Sequence, residues 1–217
     1  LASDTAISPR LHELMFHSQA LETDVGARVL LPADYDENNP RQYPVLYLLH
    51  GCCDFDVPGF AAWTTHSDVE ALTEGLPLIV VMPMGSRGGL YADWYNFGGY
   101  GAPRWETHHI RELLPWIEGH YRVRTDRNGR LLAGLSMGGH GSFTYAAKYP
   151  DLFASAAAYS PMLDTNTERG IAAVHVLETA DVGVAGGAFG ERPLEEVRWR
   201  GHNPVDLAEN LGNTQLF

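Results

Sequence analysis

The sequence predicts an α/β fold, with a mostly parallel central sheet and helices on both faces. Short, wholly apolar runs at residues 45–49 and 78–82 are typical of strands that are buried on both faces of a parallel sheet. Helical patterns alternate with these runs, as they do in α/β proteins. A Gly-x-Ser-x-Gly pattern at residues 134–138 stands where one apolar run passes into a helical pattern.

Length and charge limit the classes of protein that are possible. The 217 residues suit one domain over residues 1–217, within which we interpret residues 162–200 as an insertion over the sheet edge. A net charge of −12 disfavours nucleic acid and anionic membrane surfaces as partners. No apolar run approaches the length of a membrane span.

The first half of the chain predicts four strands and one helix. The strands lie at residues 11–18, 27–31, 45–49 and 78–82, and a short helix lies at residues 68–74. The loop at residues 85–105 is crowded with aromatic side chains, among them Tyr91, Trp94, Tyr95, Phe97 and Tyr100. Since ligands bind at the carboxyl ends of strands in open α/β sheets, these rings form either a pocket wall or the packing beneath a long loop.

The second half predicts helices at residues 106–121, 137–148 and 203–211, and strands at residues 131–135, 153–160 and from 214 onward. Pro115 implies a kink or a restart in the first helix. Asn203 is a candidate cap of the last helix, with Pro204 at its first position. Residues 162–200 show no regular helical or strand spacing of their apolar residues.

The serine of the Gly-x-Ser-x-Gly pattern is a candidate nucleophile. On a tight strand-to-helix turn, Ser136 would expose its hydroxyl above the sheet, in the arrangement called a nucleophile elbow. Gly134 and Gly138 flank it where side chains would collide. The amide of Met137, at the helix start, would stabilise a developing oxyanion. The alternative is a glycine-rich turn with an incidental serine.

The loop after residues 45–49 is a candidate for the second oxyanion donor. It reads His50-Gly51-Cys52-Cys53, and a strand that ends in His-Gly upstream of the serine is where such a donor is found. We predict the amide of Cys52, against the alternative of a plain loop. The adjacent cysteines are either two free thiols or a strained vicinal disulfide, because neighbouring Cα atoms lie about 3.8 Å apart.

With these motifs the chain resembles the putative-esterase family of the α/β-hydrolase superfamily, which includes S-formylglutathione hydrolase (esterase D), feruloyl and acetyl esterases and the antigen-85-type mycolyltransferases. The matching segments are Tyr47-Leu48-Leu49-His50-Gly51, Val81-Met82-Pro83, Tyr91-Ala92-Asp93-Trp94-Tyr95, Trp105-Glu106-Thr107, Gly134-Leu135-Ser136-Met137-Gly138-Gly139 and His202-Asn203-Pro204. The mycolyltransferases are the most similar branch, through Asp-Trp-Tyr and Trp-Glu-Thr.

The resemblance implies an α/β-hydrolase fold and a serine acyl hydrolase or transferase. It implies Ser136 as nucleophile, the amides of Met137 and Cys52 as the oxyanion hole, and His50 and Cys53 at the alcohol-binding end. The mycolyltransferases have Asp and Arg at the last two positions, so a preference for trehalose does not carry over.

A serine nucleophile also needs a histidine base and an orienting carboxylate. Asp181 followed by His202 satisfies the superfamily's order of serine, acid and histidine. In the resembling family, however, both partners follow the next core strand. We therefore expect them beyond Phe217, in a missing C-terminal part or on a C-terminal fragment of the same protein.

The predicted function is carboxylic-ester hydrolysis, or acyl transfer, through an acyl-enzyme on Ser136, with a small-molecule ester as substrate. The alternatives are a non-catalytic binding protein on an esterase scaffold and a thioesterase of the S-formylglutathione hydrolase type. No metal or organic cofactor is implied. The chain opens at Leu1-Ala2-Ser3 without Met, which favours a secreted or cell-envelope protein over a cytoplasmic one.

Overall fold

The computed structural model describes residues 1–53 and 56–217. Over these residues the strands form one eight-stranded sheet in the order β1-β2-β3-β5-β4-β6-β7-β8. The strands are β1 (Ser3–Ala6), β2 (Leu11–Ser18), β3 (Thr23–Leu30), β4 (Val45–Leu49), β5 (Ile79–Pro83), β6 (Arg130–Leu135), β7 (Ser155–Tyr159) and β8 (Gln215–Leu216).

The sheet is antiparallel at one edge and parallel through its centre. Strands β1, β2, β3 and β5 pair antiparallel in succession. Strands β5, β4, β6, β7 and β8 pair parallel. The predicted mostly parallel α/β sheet is confirmed, and β1 is a strand that the sequence pattern did not predict.

The α-helices in the described part of the chain are α1 (Ala62–His66), α2 (Val69–Leu72), α3 (Trp105–Thr107), α4 (Leu114–His120), α5 (Met137–Lys148), α6 (Glu168–Val182) and α7 (Glu196–Arg200). A π-helical stretch, His108–Leu113, joins α3 to α4, and the amide of Leu114 donates to the carbonyl of His109. The helix is therefore continuous through Pro115 and has wider, π-helical turns just before it, where the sequence predicted a kink or a restart.

Buried apolar side chains fill both faces of the sheet. One core holds the large rings of Tyr43, Tyr145, Phe153 and Trp199 with the inward residues of the strands. A smaller core lies on the opposite face, around Leu11, Leu48 and Met82. Helix α5 packs against β6 and β7 and thereby holds its first turn at the carboxyl end of the central strands.

Two segments differ from the sequence prediction. Residues 162–200, where the sequence shows no regular spacing of apolar residues, contain the 15-residue helix α6. The predicted helix at residues 203–211 reduces to a 3₁₀ turn at Ala208–Leu211. Asn203 does not cap it, since its side-chain oxygen accepts from the amide of Thr165 and its NH₂ group donates to Asp164 and Asp206.

Candidate functional site

Ser136 lies between β6 and α5 with a backbone conformation that residues other than glycine seldom adopt, φ 56° and ψ −113°. Its amide donates to the carbonyl of Tyr159 at the end of β7, at 2.8 Å. Its carbonyl accepts from the amide of His140 at 3.0 Å, which is the first helical bond of α5. The serine is therefore held by both the sheet and the helix.

Gly134 and Gly138 are required by the close approach of three segments. A Cβ at Gly134 would lie 2.2 Å from the carbonyl oxygen of Gly138. A Cβ at Gly138 would lie 2.3 Å from the carbonyl oxygen of Leu49, at the end of β4. Since real Cβ atoms do not approach backbone atoms so closely, both positions exclude any side chain. The spacing of the motif thus follows from the packing of β4, β6 and α5.

The segment after β4 lies directly beside the serine. A Cβ built on Gly51 would be 3.6 Å from the Cβ of Ser136. The carbonyl of His50 accepts from the hydroxyl of Tyr91 at 2.9 Å. Cys52 and Met137, whose amides are the predicted oxyanion donors, therefore both lie on segments that border Ser136.

Two cavities meet at Ser136, one on each side. The first, of about 400 Å³, is largely apolar and is lined by Cys52, Ser136, Met137, Met162, Ala172, Ala173, Val176 and Leu177. The second, of about 280 Å³, is lined by His50, Gly51, Cys52, Ala62, Trp63, His66, Ser67, Leu135 and Ser136. Helix α6 forms a wall of the first and helix α1 forms a wall of the second. Cys52 lines both.

A third cavity, of about 350 Å³, includes both residues predicted to contact substrate, His50 and Cys53, together with Ser86 and Arg87. Cys53 has a positive φ of 69°, and its amide donates to the carbonyl of Arg87 at 3.1 Å. Neither cysteine is in a disulfide bond, so the vicinal disulfide is not formed in this structure. Substrate contact by His50 and Cys53 stays a prediction.

Asp181 and His202, the pair that satisfies the chain order, are engaged elsewhere. The carboxylate of Asp181 accepts from the hydroxyl of Ser86 and from the amide of Gly88. His202 stacks on Phe189 and lies 3.2 Å from the ammonium of Lys148. Burial, together with the charge of Lys148, lowers the pKa of His202 to about 3. Their geometry does not bring the two together at Ser136.

Two other histidines lie close to the serine in the chain or in space. His140 is fully buried one turn into α5, its Nδ1 lies 3.0 Å from the carbonyl of Met162, and burial lowers its pKa to about 4. His66 lines the cavity beside Ser136, and its Nε2 lies 3.5 Å from a carboxylate oxygen of Asp56. Sequence reasoning missed His66 and Trp63, because no motif marks the short helix α1.

The aromatic loop at residues 85–105 divides its rings between core and surface. Tyr91 and Trp94 are buried, and Tyr91 reaches the carbonyl of His50, so packing beneath the loop accounts for them. Phe97 and Tyr100 are exposed. The order of these rings along the chain gave no means of separating the two groups.

Within residues 1–53 and 56–217, no group of three His, Cys, Asp or Glu side chains is arranged to hold a metal ion. Among the helices described, none combines the length and apolar character that a membrane crossing requires.

Two curated proteins illustrate what this chain is similar to in sequence. The esterase Rv1288 of Mycobacterium tuberculosis (strain ATCC 25618 / H37Rv) is 39% identical over 214 residues, which is 96% of this chain and 45% of the relative. The diacylglycerol acyltransferase/mycolyltransferase Ag85A of the same strain is 30% identical over 166 residues, or 75% of this chain and 48% of the relative. The chain therefore spans about half the length of the curated relatives it matches.

Solved structures share the fold. Mycobacterium tuberculosis MPT51 superposes with a TM-score of 0.75 at 24% identity, covering 94% of this chain and 70% of that one. The S-formylglutathione hydrolase FrmB of Staphylococcus aureus superposes with a TM-score of 0.65 at 20% identity, over 94% and 76% of the two chains. The fold is that of the α/β-hydrolases. The family model described as "Putative esterase" matches residues 18–215, and the chain belongs to that family.

Proposed function

We propose that the protein is a serine carboxylic-ester hydrolase that acts through an acyl-enzyme. The hydroxyl of Ser136 attacks the ester carbonyl, and the alcohol leaves. Water, or a second alcohol in a transfer reaction, then releases the acyl group. The observation that carries this proposal is the conformation of Ser136, φ 56° and ψ −113°, at the start of α5. Such strain persists only where the surroundings enforce it, and it clusters at functional sites.

The oxyanion hole in this proposal consists of the amides of Met137 and Cys52. Met137 is the first residue of α5, where amides have no helical partner and the helix dipole favours negative charge. Cys52 follows Gly51, which packs against Ser136. The amide of Ser136 itself takes no part, because it donates to Tyr159.

We assign the two sides of the ester to the two cavities at Ser136. The apolar cavity under α6 suits the acyl chain, since its lining of alanine, valine, leucine and methionine offers contact without polar competition. The cavity under α1 suits the alcohol, since Trp63, His66 and Ser67 offer a ring face and hydrogen-bonding groups.

The base and its carboxylate are the remaining parts of the proposal. Asp181 and His202 are bonded elsewhere, and the pKa of His202 is lowered to about 3. We therefore keep the expectation that a segment following Phe217 supplies both groups to Ser136, as the order of the superfamily implies.

The experiment that tests the proposal is covalent labelling with a p-nitrophenyl alkylphosphonate, followed by peptide mass spectrometry. We expect one adduct, on Ser136, and none in Ser136→Ala. Hydrolysis of oxygen esters and thioesters measured on the same preparation separates an esterase from a thioesterase. Absence of the adduct from a folded wild-type protein that includes the segment after Phe217 would favour the non-catalytic binding protein.

A further inference from the structure

The ring of His50 is held in one tautomer by two main-chain groups. The amide of Gly85 donates to Nε2 at 2.8 Å, so Nε2 carries no proton. Nδ1 lies 2.6 Å from the carbonyl oxygen of Gly51, which accepts only, so Nδ1 carries the proton and donates it. His50 is therefore a neutral imidazole that bridges the ends of β4 and β5.

The bond to Gly51 fixes the direction of the next amide as well. In a trans peptide the carbonyl of one residue and the N–H of the next point in opposite directions. When the Gly51 carbonyl turns toward the His50 ring, the N–H of Cys52 turns away from that ring. Gly51 packs beside Ser136, with its Cβ position 3.6 Å from the serine Cβ.

We infer that His50 is a positioning residue, whose ring holds the Gly51–Cys52 peptide so that the Cys52 amide faces Ser136. This inference rests on the proposed function, because it assigns a cause to the orientation of one oxyanion donor. The ring thereby acts through the main chain. A side chain that only filled space at this position would leave the peptide free to turn over.

The ring itself has little freedom to rotate. It is 3% exposed, and a Cβ on Gly59 would lie 2.3 Å from its Cε1 and Nε2 atoms, so the glycine backbone packs directly against it. The ring of Tyr91 lies 6.0 Å away and the Tyr91 hydroxyl holds the His50 carbonyl. The two peptide units that flank Gly51 are thus held by two side chains, the first by the hydroxyl of Tyr91 and the second by the ring of His50.

Two substitutions each keep one of the two hydrogen bonds of the His50 ring and remove the other. In His50→Asn the side-chain amide can occupy the place of Nδ1 and donate to Gly51, but it cannot reach Gly85. In His50→Gln the longer amide can accept from Gly85, but it cannot turn back to Gly51. His17→Asn, at an exposed histidine on β2, is the matched control. Thermal unfolding of each variant shows which of them are folded.

The measurement is the rate of phosphonate labelling at Ser136 as a function of phosphonate concentration. It gives two quantities, the rate constant of inactivation and the affinity of the reversible complex that precedes it. Removing one oxyanion donor lowers turnover by about 10²–10³, so we expect His50→Gln to slow inactivation by roughly tenfold or more with affinity unchanged. We expect His50→Asn to stay within roughly threefold of the wild type, because the Gly51 bond remains. Equal rates in the two folded variants, or a faster Gln variant, would overturn the inference.

A second measurement reads the tautomer directly. Long-range ¹H–¹⁵N correlation of histidine-labelled protein should show His50 protonated at Nδ1. His109 is the internal contrast, because its Nε2 lies 2.7 Å from the carbonyl of Met84 and its Nδ1 lies 2.8 Å from the hydroxyl of Tyr145, which requires protonation at Nε2. A His50 protonated at Nε2 would overturn the inference even if Ser136 is labelled. A wild type that includes the segment after Phe217 and is folded but not labelled would overturn the proposed function, and the role of His50 with it.

Discussion

The backbone of Ser136 lies in a region that costs a residue other than glycine about 1–3 kcal/mol. Glycine adopts the same conformation without this cost, although it loses about 0.5–1 kcal/mol more conformational entropy than alanine on folding. We therefore expect Ser136→Gly to unfold with a free energy about 1 kcal/mol higher than that of Ser136→Ala. Urea unfolding of the two variants measures the difference, and equal midpoints would contradict it. Both variants lack the hydroxyl and should take no phosphonate.

Gly138 is a residue whose lack of a side chain the structure requires. A methyl group there would meet the carbonyl oxygens of Leu49 and His50 at 2.3 and 2.6 Å. We expect Gly138→Ala to lower the free energy of unfolding by about 1–3 kcal/mol, the usual cost of overpacking, and to slow labelling of Ser136. In Gly119→Ala on α4 the methyl group meets nothing within 4 Å, so this control should gain up to about 1 kcal/mol. Equal stability of the two variants would contradict the packing argument.

Residues with local partners could be predicted from the sequence, and residues with distant partners could not. The turn at Ser136 is specified by glycines two residues away, and its geometry follows from their spacing. Asn203 reads locally as a helix cap, yet its side chain bonds to the amide of Thr165 and to Asp164, nearly forty residues earlier. The predicted oxyanion donors remain untested, because their role depends on a bound substrate.

Helix α6 forms the wall of the apolar cavity, so it should control the length of the acyl chain. Ala173→Trp would fill part of a space of about 400 Å³. Since one methylene in an apolar pocket changes discrimination by about tenfold or more, we expect kcat/KM for hexanoyl esters to fall at least that much more than kcat/KM for acetyl esters. Steady-state hydrolysis of the two p-nitrophenyl esters measures the ratio. Thr179→Trp, on the exposed face of α6, should leave the ratio unchanged, and a uniform loss with both esters would refute the acyl assignment.

Helix α6 escaped sequence prediction for a physical reason. Its buried face includes Val174 and Leu177, but also a glycine and the carboxylate of Glu178. That carboxylate is fully buried and accepts from the amides of Gly186 and Ala188. A charged residue in the buried stripe interrupts the apolar period. Helix α5, by contrast, was predicted with its observed bounds, because the serine turn defines its start.

At the scale of the whole molecule, several histidines of the described residues fold as neutral imidazoles, among them His109, His140 and His202. Burial is the largest cause of the lowered pKa of each: His202 to about 3, His140 to about 4, and His109 well below its ordinary value. In the unfolded chain each would titrate near 6.5. Below that pH the unfolded state binds more protons, so stability must fall as the pH falls from about 6.5 toward 4.

This acid sensitivity has a measurable slope. Each histidine contributes up to about 1.4 kcal/mol per pH unit within that range. We expect urea unfolding between pH 6.5 and 4.5 to give a steep loss of stability in the wild type and a slope smaller by about one proton in His140→Asn. A slope unaffected by the loss of His140 would contradict the argument.

The hydrogen bond from the amide of Ser136 to Tyr159 continues the β6–β7 ladder one residue past Leu135 and Tyr159, which are register partners. Ser136 thus makes the last β6–β7 hydrogen bond of the sheet, and it is also the residue that immediately precedes helix α5. Strand pairing is fixed in steps of whole residues, and a slip of one residue reverses every side chain. The height of the hydroxyl above the sheet is therefore set by strand register. Loops around the site can lengthen or change composition and leave that height untouched.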